Sequence, residues 1–76
     1  MSKAYVTIVV EPGKERSLKA AISEIPGVVT VDLTTGDHDM VCIIESESFK
    51  EILDTVVNRI RALPGVSNTR TSLVLE

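Results

Sequence analysis

The chain is poor in the residues that staple or functionalise very small proteins. It has one cysteine, no tryptophan, and only Tyr5 and Phe49 as aromatics. One cysteine closes no internal disulfide, and no Cys/His set stands at zinc-ligand spacing, so a stapled mini-domain and a CxxC metal carrier are both excluded. Two aromatics are too few for a base-stacking nucleic-acid platform. The formal net charge is −3, and the basic residues Lys3, Lys14, Arg16, Lys19, Lys50, Arg59, Arg61 and Arg70 are scattered. No stripe forms that would track a phosphate backbone, which argues against direct nucleic-acid binding. No apolar run approaches the roughly 18 residues of a membrane span, and the N-terminal stretch lacks a signal-peptide core. The expectation is a soluble, cytoplasmic protein.

At 76 residues the chain reads as one domain, residues 1–76, that can bury only about 60% of its unfolded surface. With disulfide and zinc excluded, association between copies is the remaining source of stability. Cys42 lies in the apolar run MVCII, where a buried, inert thiol is expected.

Hydrophobic periodicity orders the elements. Residues 4–10, AYVTIVV, are β-branched and aromatic and end at the turn-forming EPG, which predicts a first strand. Ala4, Val6, Ile8 and Val10 point one way, Tyr5, Thr7 and Val9 the other. Over residues 14–25, Leu18, Ala21, Ile22 and Ile25 fall on one helical stripe that Pro26 and Gly27 stop. Residues 28–33 predict a second strand, with Val29, Val31 and Leu33 on one face and Val28, Thr30 and Asp32 on the other. Residues 40–45 predict a third, paired antiparallel to the second through a short turn. Ser48 and Glu51 fit a capping box. The helix behind it carries Phe49, Ile52, Leu53, Val56, Val57, Ile60 and Leu63 as its apolar stripe, until Pro64 and Gly65 end it. Residues 68–75 predict the last strand.

The order β-α-β-β-α-β, with Pro-Gly-Val closing each helix, predicts an α+β ferredoxin-like plait: a four-stranded antiparallel sheet with both helices on one face. Strand residues such as Tyr5, Val9, Val41, Ile43, Leu73 and Leu75 leave neither face of the sheet charged enough to suit water, so the bare face, whichever register it takes, is expected to be an oligomer interface.

The most reactive-looking stretch is TTGDHDMV, residues 34–41. Asp37, His38 and Asp39 suggest a metal site, but adjacent extended residues point alternately and do not converge on one ion. No second cluster completes a coordination shell, so no metal is expected. A solvated turn with local hydrogen bonds and a ligand-contacting turn both remain open.

The pieces AYVTIVVEPGKE, IPGVVTVDLTTGDHDMVCII and RIRALPGVSNTRTSLVLE follow one another at spacings that resemble the regulator-of-amino-acid-metabolism (RAM) domain of Lrp/AsnC transcription factors. The resemblance covers essentially the whole chain. TGDHD matches the family's Gly-Asp/Glu-aromatic-Asp turn, with His38 where tyrosine is common. It implies an amino-acid effector-binding and oligomerisation module in a stand-alone form, without the helix-turn-helix domain. It also implies dimers in which two sheets pack face to face, as in a dimeric α/β barrel, and octameric or similar rings of dimers with the effector between them. By the same resemblance Gly36, Asp37, His38, Asp39 and Met40 would contact the effector, with Thr69, Thr71 and Ser72 of the last strand beside it. Full-length Lrp/AsnC regulators or a metabolic enzyme would be its partners, and no cofactor is expected. A zwitterion suits such a turn: Gly36 permits close backbone approach, and Asp37 or Asp39 can accept from an ammonium. His38 would make binding pH-dependent near an imidazole pKa of about 6.5.

An enzyme is the rival class. Small dimeric α/β-barrel enzymes need a polar base in a cavity, and the single histidine stands in a turn. An acylphosphatase-like plait needs a phosphate cradle after the first strand, where EPGKER offers Gly13 and Arg16 without a glycine-rich loop. Glu45, Glu47 and Glu51 read as complements of a helix N-terminus rather than catalytic carboxylates. The chain is therefore expected not to be an enzyme; a purely structural oligomerising subunit is the other alternative.

Overall fold

In a computed structural model, residues 1–36 and 39–75 are described. The elements run β1 (Ser2–Val10), α1 (Glu15–Ser23), β2 (Val28–Leu33), β3 (Asp39–Ser46), α2 (Phe49–Thr55) continued by a π turn (Val56–Ile60), and β4 (Val66–Leu73). The strands form one sheet in the order β2-β3-β1-β4. Every pairing is antiparallel. This is the expected ferredoxin-like plait.

Alternation in the two central strands sorts the faces. Ala4, Val6, Ile8 and Val10 of β1 and Met40, Cys42 and Ile44 of β3 are buried. Register puts them side by side, with Ile8 opposite Met40 and Val6 opposite Cys42. Leu18, Ile22 and Ile25 from α1 and its exit, and Ile52, Val56 and Ile60 from α2 and its π turn, complete the same core. Both helices therefore cover one face. The other face carries Tyr5 opposite Ile43, Thr7 opposite Val41 and Val9 opposite Asp39.

Ser48 Oγ accepts from the Glu51 N–H at 3.2 Å, one half of the predicted capping box. The two Pro-Gly-Val segments fold alike: Gly27 and Gly65 take φ of 97° and 100°. That left-handed backbone, open to glycine, reverses the chain into the next strand in both halves.

Three expectations are corrected. A bulge between Val28 and Thr30 shifts side-chain parity. Val28 therefore packs against the core, while Val29 is 54% exposed. On α2, Leu53 and Val57 are 43% and 54% exposed, because a helix on a flat sheet buries a narrower stripe than its sequence offers. The π turn, closed by Arg61 N–H to Val56 C=O at 2.8 Å, keeps Val56 and Ile60 inward. Ala21 of α1 is exposed as well. Leu73, for which the sequence set no face, pairs with Ala4 and packs against the core.

Cys42 is fully buried, and burial pushes its thiol up to about 11. Its pKa is raised on folding, so its share of stability is whole below the unfolded thiol's value near 9 and is lost as pH rises toward 11. Native protein at pH 8 should resist alkylation that goes to completion in denaturant. Between pH 9 and 11 the wild-type melting temperature should fall more than that of Cys42→Ala. Rapid native labelling, or parallel pH curves, would contradict this.

Candidate functional site

The end of β1 and the start of β3 lie at the same edge of the sheet because the two strands are antiparallel neighbours. This brings the β1–α1 connection beside the β2–β3 turn. Both segments are held by backbone hydrogen bonds. Glu11 N–H donates to Gly65 C=O at 2.8 Å and Lys14 N–H to Glu11 C=O at 3.1 Å. Across the turn, Thr34 N–H donates to Asp39 C=O at 3.1 Å, and its hydroxyl donates to the same oxygen at 3.4 Å. Asp39 N–H donates to Gly36 C=O at 3.4 Å.

Between these segments is an open cleft of about 480 Å³, within the range of small-molecule sites. Gly13, Glu15 and Arg16 form one wall. Leu33, Thr34, Gly36 and Asp39 form the other. The Asp39 carboxylate folds back over Gly36, so a Cβ at position 36 would fall on it. Glycine here is what lets the carboxylate sit against the turn. The Asp39 carboxylate, the Arg16 guanidinium and the apolar Leu33 offer acceptors, donors and a hydrophobic contact to one small molecule.

Gly36 and Asp39 are thus at the cleft. Asp37 and His38 lie outside the described residues. Met40 is fully buried, opposite Ile8 and Leu33, so its side chain belongs to the core and only its backbone is left for a ligand. Thr69 and Thr71 pair with Ile8 and Val6, which puts their side chains on the helix-covered side. Ser72 pairs with Tyr5 on the bare face. The three β4 residues therefore divide between two faces, and β1 separates them from β3. Within one chain they do not join the cleft.

Sequence reasoning missed Glu15, Leu33 and Thr34 as cleft residues, and set Gly13 and Arg16 aside because they make no phosphate cradle. The signal was available in the topology: in a β-α-β-β unit with β1 antiparallel to β3, the first turn of α1 must approach the β2–β3 turn. Among the described residues no three His, Cys, Asp or Glu side chains group as metal ligands. Nor, among these residues, is any helix long and apolar enough to cross a membrane.

Fold and cleft together define a small α+β plait with a mixed-charge pocket at one end of its sheet. The chain belongs to the Lrp/AsnC ligand binding domain family, whose model matches residues 3–76. The HTH-type transcriptional regulator FL11 of Pyrococcus horikoshii is 34% identical over 73 residues, 96% of this chain and 48% of that protein. The chain thus spans about half the length of that curated relative. Homocitrate synthase of Sulfurisphaera tokodaii is 44% identical over 55 residues, 72% of this chain but 12% of the enzyme. Among solved structures, TTHA0845 from Thermus thermophilus superposes with a TM-score of 0.94 at 33% identity, covering 100% of this chain and 95% of that one. The transcriptional regulator NMB0573 from Neisseria meningitidis, solved as its L-Met complex, superposes at 0.86 and 18% identity, covering 99% of this chain and 50% of that one. That last likeness shows shared fold alone.

Proposed function

We propose that this chain is an amino-acid effector-binding and oligomerisation module, one unit over residues 1–76, that regulates transcription factors through protein contacts. The observation that carries the reading is the cleft lined by Gly36 and Asp39. Its carboxylate sits at a hydrogen-bonded turn, ready to accept from an ammonium. Support comes from the family, and a Neisseria regulator that shares the fold was solved as its L-Met complex. Asp37 and His38 join the proposal on sequence grounds. The bare sheet face would make the homodimer, dimers would assemble into an octamer or similar ring, and full-length Lrp/AsnC regulators in the cytoplasm would be co-assembly partners. Ring assembly could also bring Thr69, Thr71 and Ser72 of one subunit to the turn of another. Modulation of a metabolic enzyme is a second reading, favoured by the matching stretch in homocitrate synthase.

The test is a thermal-shift and calorimetric screen of the twenty amino acids. One at 100 times its Kd should stabilise the fold by about 2.7 kcal/mol. Asp39→Ala should weaken that amino acid about 10- to 100-fold, the usual worth of a charge-assisted hydrogen bond. The fold should survive, because the turn's bonds to Asp39 use its backbone. If no amino acid shifts the wild type, the effector reading fails and a purely structural oligomerising subunit takes its place.

A further inference from the structure

We infer that Arg16 is a specificity-determining residue of this cleft: its guanidinium takes the carboxylate of the effector while Asp39 takes the ammonium. The inference rests on the amino-acid reading above and deepens it, by requiring a free carboxylate rather than any small amine.

Arg16 lines the same cleft as Asp39 from the first turn of α1 and is the lining's one cation among the described residues. It is exposed and forms no ion pair among those residues. A guanidinium presents a planar fork of donors that matches a carboxylate with two parallel hydrogen bonds, which a lysine at this position would not do. Its base is fixed: Leu18 N–H and Ser17 Oγ both donate to Lys14 C=O, at 2.9 and 3.1 Å, locking the entry to α1. Leu18, two residues beyond Arg16, is anchored in the core. Little backbone ordering is therefore required on binding. On the same side as Asp39, Leu33 is 42% exposed and gives the effector's side chain an apolar contact.

The experiment measures calorimetric affinity of wild type and Arg16→Gln for the twenty L-amino acids and their primary amides. The wild type should bind its preferred amino acid at least about tenfold tighter than the matching amide, the range for one charge-assisted pair. Arg16→Gln should lose that factor for the acid and bind acid and amide alike. An acid preference that survives in Arg16→Gln, or a wild type indifferent to amidation, overturns the assignment while leaving amino-acid binding intact. A wild type that binds none of the amino acids instead sinks the effector reading itself. The acid-against-amide comparison on unaltered protein needs no variant, so it does not depend on Arg16→Gln folding.

Discussion

Ile8→Ala should cost the fold about 2–5 kcal/mol, as large-to-small changes in well-packed cores do. Ile8 is fully buried on a central strand, opposite Met40 on one side and Thr69 on the other. A domain of this size has a total stability of about 4–11 kcal/mol, from 0.05–0.15 kcal/mol per residue. The substitution therefore removes a large fraction of it. In urea the midpoint should fall with little change in slope. Leu53→Ala, on the exposed side of α2, is the comparison. The sequence stripe would place it in the core, whereas the structure predicts a loss of about 1 kcal/mol or less. Equal losses at the two positions would refute the arrangement of faces.

Ile43→Glu should convert the protein to monomers. Ile43 lies opposite Tyr5 at the middle of the bare face, with Val41 and Val9 nearby. Tyr5 is 44% exposed in the single chain. Between two such faces a carboxylate would be stripped of most of its water and a two-fold axis would bring a second one close, with Lys3 Nζ, 5.4 Å from the Tyr5 ring centroid, and Arg70, opposite Thr7, as the cations on that face. Burying a charge in this way costs about 3–5 kcal/mol, roughly a hundredfold to several thousandfold in association. Light scattering on a sizing column should give a wild-type mass at least twice the 8.2 kDa of the chain, and 8.2 kDa for the variant. Wild-type stability should also rise with protein concentration, and the variant's should not. A monomeric wild type at micromolar concentration would end the interface argument and any site shared between subunits.

How much of the fold was legible depends on how local each signal is. The alternation of residues 4–10 gave the two faces of β1 correctly because strand parity needs no partner. Leu18 and Ile22 stood out on α1 because they repeat at helical spacing. Pro26-Gly27 and Pro64-Gly65 marked the helix ends because left-handed backbone is a property of glycine itself. The site was less legible. Gly36 and Asp39 could be picked from turn chemistry, but Arg16 was dismissed because the residues beside it make no phosphate loop, although its counterpart lies 23 positions further along.

The sequence by itself determined the order of helices and strands and the two alternating sets of side chains on β1, since periodicity, turn residues and caps act within a few bonds of each residue. Only the tertiary structure decided the rest. The bulge at Val28 to Thr30 set which valine is buried, and the sheet left room for one row of α2 and none for Leu53 and Val57. Strand register sent Thr69 and Thr71 to one face and Ser72 to the other. The antiparallel pairing of β1 with β3 brought Arg16 and Asp39 to one cleft. Each of these depends on contacts between residues far apart in sequence, whose mutual geometry exists only once the chain has closed into a sheet.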